Sequence, residues 1–523
     1  MTSQRSGAPG RAISQFLLAH VIDVVAWASV LAALSITMAW PFLHRAVLLS
    51  DDAEMLLAHL GDPFQFHGWD RGFFRPLDTL SAALINPSTR DAQVSLLLHI
   101  PALAAIGAAV FVVLRDRYPT SRLAAPIALM WWLLSVGTTI ALWQPDLVSQ
   151  TWGAAVGIWL AIVLWFGARE AATGSVANST VLKVSALTAA GVLTREFFFG
   201  WALGGVALLA LFVASQGVPR RESIVAWVRL AAPVIVIPAV FLLLRIYAGG
   251  LGHAIAGEDA TGGRYDLELG SNVVVNLAIT GLGMTAIGPA HMVDNPDALL
   301  PVRIAPLLGS GMTIALIASP WLLSRLLGTG REHRPDLRTV ALVLMISLSG
   351  IAPAIPTQHV SEYYLFGPNV GTALLIGMTI PASWRVIRGA PQGGARSTSM
   401  GVFGAILALS VFIGLAGSVS RARHIDLNWQ AVRGINTAVT RLYSDAGGLP
   451  AFDVYVPQTL TAGPTHGVFV STPAHLYDFS ISERYFNERF EQPKVHFVYE
   501  GSAVPPSTPL YELDVVLAKA PDW

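Results

Sequence analysis

The sequence predicts a mainly α-helical, polytopic membrane protein with about 11 transmembrane helices and a small C-terminal extracytoplasmic α/β domain. Of its 523 residues, 53% are hydrophobic and only 13% are charged, which is about half the charged share of an ordinary soluble domain. Apolar runs long enough to cross a bilayer recur between residues 13 and 419. The tail from about residue 420 has the composition of a soluble domain. These observations predict one membrane module, residues 1–419, and one soluble domain, residues 420–523.

Charge and cysteine content exclude several classes of protein. Lys plus Arg equals Asp plus Glu at 33 each, so no excess of one charge favours binding to nucleic acid. The chain has no Cys, which excludes disulfides, thiolate metal sites and cysteine nucleophiles. Neither a Walker A lysine loop nor a Gly-x-Gly-x-x-Gly after a strand is present. We therefore expect no nucleic-acid partner and no nucleotide as an energy source.

Eleven crossings are predicted along the membrane module. Nine apolar runs suit one crossing each: residues 13–40, 94–114, 123–142, 148–167, 224–247, 304–323, 339–357, 365–384 and 400–419. The run 181–215 is too long for one crossing and is interrupted by Arg195 and Glu196, so it is split into two short spans. The first run continues to about Phe42 without a small-residue cleavage site, which indicates an uncleaved span.

The basic residues predict the orientation of the chain. With eleven crossings, the loops rich in Arg and Lys all fall on the side of Arg5 and Arg11, and by the positive-inside rule this side is cytoplasmic. We expect a multi-pass protein of the bacterial plasma membrane with its N-terminus inside and its C-terminal domain outside. Two large outer loops result, at about 43–93 and 248–303. The apolar segment 273–290 would then lie on, or dip into, the outer face.

The tail carries the pattern of a small α/β domain. A helical stretch, NWQAVRGINTAVTRLYSDAGG, ends at glycines. Four strand-like segments follow, separated by Pro and Gly: FDVYVP, GVFVS, VHFVYE and YELDVVLAK.

Two adjacent carboxylates, Asp51 and Asp52, follow the first span directly. Neighbouring residues on a helix point about 100° apart, so only one of them would face a given cavity. A carboxylate at the membrane face, partly desolvated, can deprotonate an acceptor hydroxyl as it attacks an anomeric carbon. The same residues also fit a plain helix cap, since Ser and Asp both accept hydrogen bonds from free N–H groups.

Further ionisable residues gather near span ends on the same face. Such groups are expensive at the hydrocarbon edge unless they pair or line a polar cavity. Any one of them is explained by snorkelling or a loop ion pair, whereas the whole set indicates a binding site. The set comprises Asp70, Arg71, Arg75, Asp146, Arg195, Glu196, Arg245 and Glu362.

The order of these motifs resembles the GT-C superfamily of integral-membrane glycosyltransferases. The matching features are an acidic pair in the first outer loop, FRPL before the second span, QPDLVSQTW between spans three and four, TRE at the split span, and HVSEYYLFGPNVG. Within the superfamily the chain is most similar to the protein O-mannosyltransferase-like members that carry tetratricopeptide repeats, over roughly residues 40–380. The resemblance implies a polyprenyl-phosphate sugar donor, inversion at the anomeric carbon, and Asp51 or Asp52 as the catalytic base.

The chain departs from that family at three places. Arg195 and Glu196 stand where the family has Lys-Glu, and Arg is not equivalent to Lys in a bidentate contact. Glu362 is followed by Tyr363 where the family has Arg, so the donor phosphate would have to be held by Arg75, Arg195 or Arg245. The tetratricopeptide tail is absent, which leaves the acceptor open among a glycan, a lipid and a protein.

No cofactor is expected to be required. If a divalent metal is bound, the ligands would be Asp51, Asp52 and Asp146, because hard cations take carboxylate oxygens. His359 and Glu362 are three residues apart, which is also a common surface pair on a helix.

The leading expectation is an enzyme that transfers a sugar from a polyprenyl-phosphate donor to a cell-envelope acceptor at the outer face of the bilayer. A lipid-linked saccharide transporter or flippase is the first alternative, although it would show repeat symmetry around a midplane site. A non-catalytic membrane scaffold, with the soluble domain binding a partner, is the second.

Overall fold

The computed structural model describes residues 8–48, 76–86, 89–117, 121–194, 198–215, 221–255, 300–329, 334–350, 352, 366–447, 449–457, 477, 479–490, 493–499 and 509–513. In these ranges the chain is mainly helical. The helices of the membrane module are α1 (Ala8–Leu43), α2 (Pro76–Ala83), α3 (Gln93–Leu96), α4 (His99–Arg117), α5 (Ala124–Leu133), α6 (Val136–Trp143), α7 (Val148–Ala172), α8 (Asn178–Val192), α9 (Phe198–Ser215), α10 (Arg221–Ile255), α11 (Leu300–Leu326), α12 (Leu337–Ser349), α13 (Phe366–Gly389) and α14 (Gly394–Asp445). A 3-10 turn, Pro145–Leu147, joins α6 to α7.

The prediction of a mainly helical, multi-pass membrane protein is confirmed, but the count of about 11 crossings is not. Six helices in the described part are long and apolar enough to cross a bilayer, or seven if the bent pair α5 and α6 is one span. The other four predicted crossings fall on α8, α9, α11 and α12, whose described apolar stretches are shorter than 18 residues. Their described apolar or helical stretches are Asn178–Val192, Phe198–Ala210, Gly311–Leu326 and Leu337–Ser349.

The core of the helix bundle is built around α13. Some 83% of its span is buried, against 6% for the span of α1. The α13 helix packs against α5, α11 and α12, while α7 packs against α4, α8 and α9. The exposed aliphatic side chains of the outer helices form the surface that faces hydrocarbon, since a bilayer replaces water as their solvent.

Polar groups at the break between α5 and α6 form hydrogen bonds with side chains of other helices. The two helices meet at 69°, which frees backbone and hydroxyl groups near Ser135. Asn369 Nδ2 of α13 donates to Ser135 Oγ at 2.8 Å, and Ser418 Oγ of α14 donates to Leu134 O at 2.8 Å. Inside a bilayer such partners are what makes an interrupted helix tolerable.

A tryptophan lies in a slot that three glycines form. A Cβ atom at Gly157 of α7 would lie 2.4 Å from the indole of Trp201 on α9, and one at Gly350 or Gly367 would lie 2.7 or 3.2 Å from it. Because these positions lack a Cβ, α7, α9 and α13 approach closely around one large ring.

The C-terminal region continues directly from the membrane module. The 52-residue helix α14 runs without a break across residues 419 and 420. Beyond it lie β1 (Ala451–Val456), α15 (Phe479–Arg489), β2 (Lys494–Tyr499) and β3 (Leu510–Glu512). The three strands are parallel in the order β2-β1-β3.

The small C-terminal sheet agrees with the predicted α/β composition. The described strands match FDVYVP, VHFVYE and the start of YELDVVLAK, whereas GVFVS lies outside the described residues. An aromatic cluster joins the sheet to α14: the Tyr443 ring lies 5.0 Å from the rings of both Phe452 on β1 and Phe486 on α15.

Candidate functional site

The turn that carries Asp146 is held by side chains from two other helices. Ser81 Oγ of α2 donates to Pro145 O at 2.8 Å, and His99 Nε2 of α4 lies 3.2 Å from Gln144 O. A carbonyl can only accept, so the imidazole carries its proton on Nε2 and donates there. The two carbonyls that precede Asp146 in the chain are therefore fixed in place.

Buried hydroxyls extend this polar contact into the bundle. Ser81 and Ser95 share a hydrogen bond, and His99 Nδ1 lies 2.9 Å from Thr151 Oγ1 on the first turn of α7. All four side chains are buried. Polar groups in such a place must be paired with one another, and their pairing fixes how α2, α4 and α7 meet.

Two further predicted motifs begin or end beside the same part of α7. Thr194, which precedes Arg195, lies against Gly153, because a Cβ there would be 2.8 Å from Thr194 Oγ1. Gly367, which follows the HVSEYYLF segment, lies near Ala154, with 3.7 Å from its Cβ position to Ala154 Cβ. The described flanks of four separate motifs thus meet around residues 145–154, which we call the α7 entrance.

The two ends of the first outer loop are joined by backbone hydrogen bonds. Leu48 N donates to Arg90 O and Ala92 N donates to Ala46 O, each at 3.0 Å. The residues at the start and at the end of the first outer loop therefore lie side by side. Asp51 and Asp52 follow Leu48 by three and four positions in the sequence.

The start of that loop also forms hydrogen bonds with α14. Arg433 Nη1 donates to His44 O at 2.7 Å and also to Arg45 O, and His44 Nδ1 lies 2.9 Å from Asp426 Oδ1. Burial lowers the pKa of the Arg433 guanidinium, and the Asp426 carboxylate opposes this shift. An arginine remains charged under such a change, so the Arg433 guanidinium donates to these two carbonyls as a cation.

The end of the loop is anchored in the C-terminal region. Arg90 has a backbone φ of 58°, and its buried guanidinium lies over the Tyr477 ring and donates to Ser482 Oγ of α15. The Arg90 and Arg433 contacts, one from each end of the loop, tie the first outer loop to α14 and α15.

Most of the predicted site residues lie outside the described residues. These are Asp51, Asp52, Asp70, Arg71, Arg75, Arg195, Glu196, His359, Glu362 and Tyr363. Asp146 and Arg245 are placed by their backbone, in the 3-10 turn and in α10 respectively, but their side chains are outside the description. The segment 273–290 is outside it as well.

Within the described ranges, no group of three His, Asp or Glu side chains could hold a metal ion. The side chains of the proposed metal ligands Asp51, Asp52 and Asp146 lie outside the described part of the structure.

The sequence did not predict a role for three further residues near the site, His99, Arg90 and Arg433. His99 is the one ionisable residue in the apolar run 94–114, which is a signal that could have been used, because such residues rarely enter a span without a role. Arg90 and Arg433 gave no comparable signal, since they lie in polar stretches where charged residues are ordinary.

Comparison with known proteins adds no family to this geometry: no protein-family model matches the chain, and no curated protein matches it significantly.

Proposed function

We propose that the chain is a membrane glycosyltransferase of the GT-C type, which transfers a sugar from a polyprenyl-phosphate donor to a cell-envelope acceptor. The observation that carries the proposal is the meeting of four motif flanks at the α7 entrance. The residues that meet there are far apart in sequence: Pro145, Thr194 and Gly367 lie in three of the motifs on which the resemblance rests, and Ser81 follows the fourth, FRPL, by four residues. If the motifs shared only a membrane face, we would not expect residues from all four to meet at one helix end.

In this proposal the α7 entrance faces the extracytoplasmic side, the N-terminus is cytoplasmic, and further crossings bring the total to about eleven. The C-terminal region is then extracytoplasmic. The basic loops support this orientation. Its consequence is that the outer charged residues meet a lipid-borne donor rather than a cytosolic nucleotide.

The proposed chemistry divides between a base and a cation. The donor already carries a phosphate leaving group, so the protein must chiefly place the acceptor hydroxyl in line with the anomeric carbon and remove its proton. Asp51 or Asp52 takes the role of base. Arg75, Arg195 or Arg245 holds the phosphate and stabilises the negative charge that develops as the bond to the sugar breaks.

The test is sugar transfer by the purified full-length protein from a polyprenyl-phosphate sugar, with donor binding measured separately. Asn is nearly isosteric with Asp but is not a useful base. One of Asp51→Asn and Asp52→Asn should therefore lower turnover by about 10²- to 10⁴-fold, the range typical of general-base removal. The other should have a milder effect, because adjacent helical positions face different directions.

Asp445→Asn is the matched control, since Asp445 is an exposed carboxylate at the end of α14 and its loss should leave transfer unchanged. Donor binding should persist in the impaired Asn variant, which separates lost chemistry from lost affinity. Parental turnover in both single variants and in the double variant would remove the base from the proposal and leave Asp51 and Asp52 as a helix cap.

A further inference from the structure

Two strained turns lie at the two ends of the first outer loop. Arg45 has a backbone φ of 51° and Arg90 one of 58°, and they are the two non-glycine residues with a positive φ in the described part of the chain. This left-handed conformation is uncommon outside glycine and persists only where surrounding contacts hold it. Such conformations cluster at functional sites, so their position at the ends of one loop indicates that the geometry of this loop matters for function.

The two turns are joined to each other. An antiparallel bridge links Val47 to Asp91, and one backbone hydrogen bond flanks it on each side. We call residues 44–48 and 90–92 the loop junction. A two-stranded pairing this short is not stable alone in water, so contacts from other parts of the chain must hold it in place.

The start of the loop junction is held by the part of α14 that belongs to the C-terminal region. Arg433 Nη1 donates to the carbonyls of both His44 and Arg45, so it contacts the strained turn itself. The His44 ring contacts the same helix, with its Nδ1 2.9 Å from Asp426 Oδ1. Asp426 and Arg433 are seven residues apart, so both project from one face of α14.

The same stretch of α14 also contacts the end of α6. Trp429, four residues before Arg433, is buried, and its ring centre lies 6.0 Å from that of Trp143. Trp143 is the last residue of α6, and the Pro145–Leu147 turn begins two residues later. One stretch of α14 therefore contacts two segments that lead to predicted site residues.

We propose that α14 positions the first outer loop for sugar transfer and that Arg433 is the positioning residue. This inference rests on the proposed function, in which Asp51 or Asp52 is the base. Asp51 follows Leu48 by three residues, and three residues of chain span at most about 11 Å, so a shift of the loop junction is passed on to the base. A displacement of about 1 Å can slow a reaction about 10²-fold.

The test is sugar transfer by purified full-length variants, with donor binding measured separately. Arg433→Met is long but cannot donate, so turnover should fall about 10- to 100-fold, as expected of a small displacement, while the Kd of the donor changes little. Arg433→Lys should recover most of the turnover, because an ammonium group can donate to both carbonyls. Arg441→Met is the matched control, since Arg441 is exposed on the same helix and its loss should leave transfer unchanged.

Two readouts separate positioning from a general loss of stability. Hydrogen–deuterium exchange at the amides of Leu48 and Ala92 should be faster in Arg433→Met, whereas exchange in α13 should be unchanged. The effects on turnover should also be non-additive. Added to whichever Asn variant of Asp51 or Asp52 is impaired, Arg433→Met should lower turnover little further, because residues that act as one unit do not contribute independently.

Parental turnover in Arg433→Met, in a protein that transfers sugar, would overturn the positioning role. An additive effect in the double variant would overturn it as well, and so would a loss of turnover accompanied by equal losses of donor binding and of exchange protection in α13. A parental protein that transfers no sugar would instead refute the proposed function, and with it the catalytic part of this inference. Exchange at Leu48 would still decide whether Arg433 holds the loop junction.

Discussion

Arg90 holds its guanidinium carbon 4.1 Å from the centre of the Tyr477 ring, although the two residues belong to the first outer loop and the C-terminal region. The Arg90 side chain is buried, with 1% of the residue exposed. A desolvated cation is favourable only with good partners, and here they are an aromatic face and the Ser482 hydroxyl. The contact ties the return of the first outer loop to α15.

Arg90→Ala should loosen the C-terminal region from the membrane module. The loss of the cation–π contact, which is worth about 2 kcal/mol when desolvated, should lower the free energy of unfolding by about that amount. Thermal unfolding in detergent and limited proteolysis of residues 449–513 would measure it. Arg484→Ala is the control, because Arg484 pairs with Glu488 on the exposed surface of α15 and its loss should cost less than about 1 kcal/mol. Equal effects of the two variants would mean that Arg90 is not an anchor.

The fold was predictable from the sequence where local pattern decides it. Apolar runs predict membrane helices because a bilayer requires every backbone group to be paired within the segment. Alternating residues in FDVYV and VHFVY predict strands that the structure contains. The end of α8 at Val192 was also indicated in the sequence, because Arg195 and Glu196 interrupt the apolar run 181–215.

The candidate site was predictable only in outline. The sequence indicated which motifs belong on one membrane face, but it could not indicate that Thr194 lies against Gly153. The contact from Arg90 to Ser482 spans 392 positions, and the one from Arg433 to His44 spans 389. Contacts of that separation depend on how whole helices pack, and no local property of either residue encodes the partner.

The glycine slot gives a second prediction. Gly157→Ala would place a methyl group 2.4 Å from the Trp201 ring, so α7 and α9 must separate or the indole must move, at a cost of about 1–3 kcal/mol. The double variant Gly157→Ala with Trp201→Leu should be less destabilised than the sum of the single variants, with a coupling of about 0.5–3 kcal/mol.

Gly107→Ala is the matched control for this pair. Gly107 also lies inside a helix, α4, and among the described residues no heavy atom outside its own stretch of helix lies within 4 Å of its Cβ position. Its substitution should leave the melting temperature unchanged or raise it, because Ala is about 1 kcal/mol more favourable than Gly in a helix interior. If Gly157→Ala behaved like Gly107→Ala, close packing on Trp201 would not hold these helices together.

The last prediction concerns which side of the membrane the C-terminal region occupies. The apolar part of α14, Gly394–Ala416, is one candidate span, so exposed residues before and after it lie on opposite sides. Gln392 precedes the span and Glu488 follows it on α15, and both are exposed. Arg385, Arg388 and Arg396 flank Gln392, and the positive-inside rule therefore places Gln392 in the cytoplasm and Glu488 outside.

Because the chain contains no cysteine, Gln392→Cys and Glu488→Cys can be labelled one at a time with an impermeant maleimide. In intact cells Glu488→Cys should react, while Gln392→Cys should react only after lysis. Reaction of both in intact cells would show that α14 does not cross the bilayer. The reverse pattern would put the α7 entrance on the cytoplasmic side, and the proposed transfer at the outer face of the membrane could not occur there.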